Sequence, residues 1–244
     1  MCTVSCVPLP GGGIVITSNR DERTDRHGAP PGLRILDGVQ VLAPTDALTG
    51  TTWIALASTD RMACLLNGSD GPMHFAERPS RSRGTVLLEA TTTGDFSGFL
   101  SGSDLAGVHP FTLLCTQGSA LWMLQWTGTE RTVEEIDARM PRLWSSTTLY
   151  GPAVRAVRDD HFQRMRQRSG VPLPEELWAF HATPHLDDGR QALIMQREGG
   201  LRTVSITQAR RTPDGVMRMR FSDLLAGTEH AAALPGSHGS SLDI

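Results

Sequence analysis

The apolar and β-branched residues of this chain come in short runs divided by turn chemistry. Thr3-Val4-Ser5-Cys6-Val7 and Ile14-Val15-Ile16-Thr17-Ser18 flank Pro8-Leu9-Pro10-Gly11-Gly12-Gly13, which predicts two strands joined as a hairpin. Four polar residues, Asn19-Arg20-Asp21-Glu22, follow, and a hairpin of this length returns them toward residue 2. Residues 23–31 read as a polar loop. Apolar runs lie on both sides of Asp37-Gly38, a pair suited to a tight hairpin turn. Residues 62–67 predict a buried strand with a polar end, residues 71–83 a loop, and residues 85–90 and 96–105 short helical pieces.

The runs at 111–116 and 120–126 predict a further hairpin around Gln117-Gly118-Ser119, and residues 132–140 a brief strand or helical turn. Val154, Val157, Phe162 and Met165 recur at helical spacing, so residues 153–168 predict an amphipathic helix stopped by Gly170. Pro174 opens a second helix over 174–180. His181 and His185 fall in the loop after it, where a histidine is ordinarily a surface residue. Residues 201–207 and 216–221 flank Thr212-Pro213-Asp214-Gly215 as a last hairpin. Residues 230–244, rich in Ala, Gly and Ser, are expected to form a disordered tail, which leaves 1–229 as a single domain.

A length of 244 residues suits one domain with a real core. The net charge of −3 gives no electrostatic case for nucleic acid or an anionic membrane. All 23 basic residues are arginine, so a Schiff-base or P-loop lysine is excluded. No stretch approaches the ~20 apolar residues of a membrane span, and Pro8 to Gly13 interrupts any secretory apolar run. Four cysteines are too sparse for a disulfide framework, so a cytoplasmic location is expected. Cys2 and Cys6 share a strand face, yet no partner follows at metal-ligand spacing, and no metal is expected.

Candidate chemistry centres on Cys2. Removal of Met1 leaves it with both a thiol and an α-amine. An α-amine ordinarily titrates at about 7.7–8.0, so it is partly neutral near pH 7 and can act as the general base for the thiol. Arg20 could favour the thiolate, and Asp21 could hold the α-ammonium or Arg20. The alternative reading of the same residues is a small buried Cys2 at a strand start and a solvated turn over 19–22.

Met1-Cys2-Thr3, the hairpin and Ser18-Asn19-Arg20-Asp21-Glu22 together resemble the NRDE family, also called the transport and Golgi organisation 2 family. More distantly they resemble the choloylglycine hydrolase and penicillin V acylase group. Gly50-Thr51-Thr52-Trp53 is similar to the family's Gly-Gly-Thr-Trp, Asn67 to the amide of its Leu-Thr-Asn, Ser82-Arg83-Gly84 to its Arg-Gly before a helix, and Arg202-Thr203 to its Gly-Thr-Arg-Thr strand. The resemblance implies an α+β fold, the four-layer αββα sandwich of N-terminal-nucleophile hydrolases. It implies Cys2 as nucleophile, Arg20, Asp21, Asn67 and Arg202 as its catalytic company, and Asn19, Trp53 and Ser146 around the substrate. The related acylases carry an oxyanion-hole Asn where this chain has Ser146.

Two functions follow from the resemblance. One is cofactor-free hydrolysis of the amide bond of a small acyl substrate. The other is non-catalytic binding or trafficking of haem or lipid on the same scaffold, in which Cys2, His27 or a Met would have to ligate haem. Neither fixes an oligomeric state.

Overall fold

The computed structural model describes residues 3–235. Its strands are β1 (Thr3–Leu9), β2 (Gly13–Arg23), β3 (Gly28–Leu36), β4 (Val39–Asp46), β5 (Ile54–Ala57), β6 (Arg61–Asn67) and β7 (Phe111–Gln117). They continue with β8 (Ala120–Trp126), β9 (Arg131–Ile136), β10 (Arg142–Ser145), β11 (Leu201–Arg211), β12 (Met217–Asp223) and β13 (Thr228–Ala233). The helices are α1 (Arg83–Thr92), α2 (Phe96–Gly102), α3 (Pro152–Ser169) and α4 (Pro174–His181).

Two antiparallel sheets result. One has the order β10-β1-β2-β11-β12-β13, and the other runs β3 to β9 in sequence. The predicted first hairpin forms, with Thr3 opposite Asn19. However, residues 19–22 are not a turn. They lie inside β2, because β11 pairs along it from Ile14 to Arg23 and satisfies the backbone that a turn would leave open. At the other end, β13 pairs with β12 through Ala233, past the domain boundary expected at 229.

Residues 28–36 form a strand where the sequence reads as a loop as far as Pro31. Pro30 and Pro31 sit at a register shift between Ala29 and Gly32, on the edge strand of the second sheet. Proline is tolerated there because the missing N–H faces no partner strand. Asp37 and Gly38 both take positive φ, 50° and 79°, as a two-residue turn between right-twisted strands requires.

The sheets pack face to face. Val4, Cys6, Ile14 and Ile16 of the first meet a core shared with Ile54, Leu56, Met62 and Leu66 of the second. Helix α1 adds Val86, Leu87 and Ala90 to that core from its seat on β5 and β6. On the opposite face of the first sheet, Val7 and Val15 pack against Phe162 of α3 and Leu177 and Phe180 of α4. The layers are therefore helix, sheet, sheet, helix. Each such aliphatic side chain contributes about 1.5–3 kcal/mol by leaving water. Among the described residues no helix is long and apolar enough to cross a membrane.

Candidate active site

Alternation along β2 sends successive side chains to opposite faces of its sheet. Arg20 points between the sheets, where its Nη2 donates to Asp46 Oδ2 at 2.6 Å and its Nη1 to the Arg26 carbonyl at 3.0 Å. Its guanidinium carbon lies 4.5 Å above the Trp53 ring. Asp46 ends β4, and its second oxygen accepts from the backbone N–H of Leu48 and Thr49, both at 3.1 Å. Arg26 bridges Asp46 and Glu22, at 2.8 Å to each. Burial lowers the Arg20 pKa against the opposing pull of Asp46. For Asp46 burial pushes the pKa up, but Arg26, the Thr49 N–H and Arg20 outweigh it and hold the carboxyl below its ordinary value.

Asp21 points the other way, toward the α3 side of the sheet. It accepts from the Tyr150 hydroxyl at 2.7 Å and from Thr203 Oγ1 at 2.5 Å. The Arg158 guanidinium stacks 3.6 Å from the Tyr150 ring and donates to Thr3 Oγ1 and to the carbonyls of Gln191 and Ala192. Asn19 shares this face. Its amide nitrogen donates to the carbonyls of His181 and Leu193, so its oxygen is left to accept from His181 Nδ1. The other imidazole nitrogen of His181 then accepts from the Ser5 hydroxyl at 2.8 Å. This histidine is wholly buried, not a surface residue, because α4 runs one residue past the predicted end and carries it onto the sheet. Burial first, and then the charges of His185 and Arg158, push its pKa down to about 3.

Two cavities meet at Asn67, the last residue of β6. The larger, about 250 Å³, is bordered by Leu66, Leu143, Trp144, Ser145 and Ser146. It reaches the start of β1 through Ser145, whose hydroxyl lies 3.3 Å from that of Thr3. The smaller, about 70 Å³, is bordered by Arg20, Arg26, Asp46, Trp53 and Arg83. Gly84 lets α1 press against this cavity, since a Cβ there would lie 2.4 Å from Thr51 Oγ1 and 2.6 Å from the Thr52 carbonyl.

The Transport and Golgi organisation 2 family model matches residues 1–169. The chain belongs to the Transport and Golgi organisation 2 family. No curated protein sequence matches it. Among solved structures it is similar to a cysteine-to-alanine mutant of the conjugated bile acid hydrolase from Clostridium perfringens, with TM-score 0.61 and 9% identity over 96% of this chain and 92% of that one. An arginine-to-leucine variant of that hydrolase gives TM-score 0.59 and 9% identity over 95% and 92%. The Caenorhabditis elegans orthologue of N-acylethanolamine-hydrolyzing acid amidase gives 0.58 and 11% over 85% and 92%. These likenesses establish the fold, that of N-terminal-nucleophile hydrolases.

For this family member the expected site residues sort into three groups. Arg20, Trp53 and Asn67 come together at the smaller cavity, with Ser146 beyond Asn67 at the larger. The Ser146 hydroxyl donates to the Asn67 carbonyl at 2.7 Å, so it braces the end of β6. Asn19 and Asp21 sit on the opposite face of the sheet. Arg202 stands in register with Glu22, borders neither cavity, and keeps its Nε buried with no partner among the described residues. Cys2 lies outside the described residues.

Sequence reasoning missed Asp46, Arg158 and Tyr150. Asp46 is the carboxylate that Arg20 finds, and no local pattern marks it. Tyr150 is the chain's one tyrosine, which is a signal of rarity and not of role. Haem fits poorly. No described residue bordering either cavity is a His, Cys or Met, and His27 is exposed on the connection between β2 and β3.

Proposed function

We propose that this protein is an N-terminal cysteine hydrolase that cleaves the amide bond of a small acyl substrate. The observation that carries the reading is the meeting of two cavities at Asn67, one of them bordered by Ser145 beside the first residue of β1. Cys2 is the residue before that strand in the chain.

In this reading Met1 is removed and the Cys2 amine takes the thiol proton. The thiolate adds to the amide carbonyl, and the oxyanion is held by the Asn67 amide. Collapse breaks the C–N bond, the amine leaves with the proton, and a thioester remains. Water then attacks the thioester, releasing the carboxylic acid and restoring the thiol. Loss of one oxyanion donor typically costs on the order of 10²–10³ in rate. The bile acid hydrolase and the acid amidase that share the fold support an amide as the bond broken.

The test is an intact-mass measurement followed by assays of chromogenic acyl amides. Loss of Met1, with turnover in wild type and none in Cys2→Ala, is the expected result. Retained Met1, or turnover that survives Cys2→Ala, overturns the proposal.

A further inference from the structure

The larger cavity lies against β10, the edge strand of the first sheet, and residues of both its faces border it. Trp144 belongs to the core between the sheets, whereas Leu143 packs toward α3. Ser145 shares the Leu143 face by strand alternation. Four described residues that border this cavity carry a hydroxyl: Thr112, Ser145, Ser146 and Thr147. Three of them commit their hydrogen to backbone. Thr112 donates to the Gly68 carbonyl at 2.9 Å, Ser146 to the Asn67 carbonyl at 2.7 Å and Thr147 to the Ser69 carbonyl at 3.1 Å. Ser145 differs. Its hydroxyl meets one partner among the described residues, Thr3 Oγ1, at 3.3 Å.

The direction of that bond is fixed from its far end. Arg158 Nη1 donates to Thr3 Oγ1 at 2.5 Å, and a guanidinium has no acceptor. Thr3 is buried, and buried polar groups are rarely left unpaired. Its own hydrogen has one acceptor among the described residues, the Ser145 oxygen. The donors therefore run from Arg158 to Thr3 to Ser145, and the Ser145 hydrogen is left for the cavity. Successive hydrogen bonds polarise one another, so the Arg158 charge strengthens the last donor in the series.

Asn67 borders the same cavity, and Ser146, the next residue after Ser145, holds its carbonyl. We propose that Ser145 is a catalytic residue that joins the Asn67 amide in donating to the carbonyl oxygen of the scissile amide, and that Thr3 and Arg158 are positioning residues that aim it. The catalytic role rests on the hydrolase reading above, whereas the direction of the hydroxyl does not. As the thiolate adds to the carbonyl carbon, the C=O π pair moves onto oxygen. Both donors hydrogen-bond that oxygen and neither gives up its proton. On collapse the pair returns, the C–N bond breaks, and Ser145 is unchanged.

The experiment follows release of 4-nitroaniline from N-(4-nitrophenyl)hexanamide by wild type, Ser145→Ala, Ser145→Thr, Thr3→Val and the Thr3→Val, Ser145→Ala double variant. Ser145→Ala should lower kcat about a hundredfold with KM within about threefold, the pattern of a donor that acts in the transition state. Ser145→Thr keeps the hydroxyl and should stay within about tenfold of wild type. Thr3→Val should cost about tenfold in kcat alone and nothing further on top of Ser145→Ala, because both changes act on one donor. A Ser145→Ala kcat within about threefold of wild type overturns the proposal, as does Ser145→Thr as slow as Ser145→Ala. Additive losses in the double variant overturn the part given to Thr3 and Arg158.

A second measurement needs no turnover. Hexanamide carrying carbon-13 at its carbonyl is bound to the Cys2→Ala protein, and its carbonyl stretch is read by infrared difference spectroscopy. The band should lie at lower frequency than in the Cys2→Ala, Ser145→Ala protein. An identical band in the two proteins overturns the donor, and so does failure of hexanamide to bind at millimolar concentration. A Ser145-dependent band without wild-type turnover removes the hydrolase and keeps the donor. Cys2-dependent turnover that is indifferent to Ser145→Ala removes the donor and keeps the hydrolase.

Discussion

Asn19 and His181 hold each other at two points. The Asn19 amide nitrogen donates to the His181 carbonyl at 3.0 Å, and its oxygen accepts from the imidazole Nδ1. The pair ties the end of α4 to the middle of the first sheet. Asn19→Ala would strand two carbonyls and a ring N–H away from water. Each unsatisfied buried group costs about 1–3 kcal/mol, so urea unfolding should show a midpoint well below that of wild type with an unchanged slope. A shift worth under about 1 kcal/mol would mean that water replaces the amide.

The same histidine sets a pH dependence. Its folded pKa, pushed down to about 3, lies below the ordinary value of 6.5, so between those values the unfolded chain holds the extra proton. Stability from this group is then full above about pH 6.5 and falls as the pH drops toward 3, by at most about 1.4 kcal/mol per pH unit for one proton. His185, whose pKa burial also lowers, acts with the same sign. The stability of His181→Gln should fall less steeply than that of wild type over this range, and parallel urea titrations at several pH values would show it.

Much of the fold is legible in local chemistry, because it rests on short-range rules. Asp37-Gly38 takes its turn and Pro174 opens its helix, and the β-branched runs pair as hairpins. The site is less legible, because its partners are set by pairing across the chain. Arg20 and Asp21 are neighbours in sequence, and as part of a turn they would share one volume. Pairing with β11 extends them into a strand, and a strand parts them to opposite faces. Arg20 then meets Asp46, and Asp21 meets Tyr150 and Thr203. The fate of His181 depended on a single further residue of helix.

The ion-pair cluster predicts an asymmetry. Asp46 is 7% exposed at its side chain and serves both Arg20 and Arg26, whereas Glu22 is 20% exposed and serves Arg26 alone. Asp46→Ala should therefore destabilise by about 3–5 kcal/mol, the range for breaking a buried pair. Glu22→Ala should cost no more than about 1 kcal/mol. Thermal unfolding of the two variants side by side would expose equal losses if the cluster behaved as a surface network.

The thiols predict a labelling pattern. Cys6, Cys64 and Cys115 are buried free cysteines whose pKa values burial pushes up to about 12. Near neutral pH they are protonated and out of reach. Iodoacetamide should therefore spare Cys6, Cys64 and Cys115 in the folded protein and add at all three in urea. Peptide mapping that found Cys6 or Cys64 modified before unfolding would show that the sheets part readily.

At Gly84 an added methyl meets the Thr52 carbonyl at 2.6 Å, and backbone does not yield cheaply. Gly84→Ala should cost about 1–3 kcal/mol through overpacking and move α1 off the small cavity. Urea unfolding would show the loss, and an unchanged midpoint would mean that the Thr52 backbone shifts to admit the methyl.

The two sheets are assembled from different reaches of the chain. The second is a run of neighbouring strands, so each hairpin can form as soon as its residues leave the ribosome. The first joins β2 to β11, with Asn19 opposite Ile206, and that contact waits for most of the polypeptide to be made. Contacts so distant in sequence form slowly. Asp21 gains its Thr203 partner only then. Until those strands arrive one edge of β2 stays open, so the first sheet is the last part of the fold to close, after every residue bordering the two cavities has already been made.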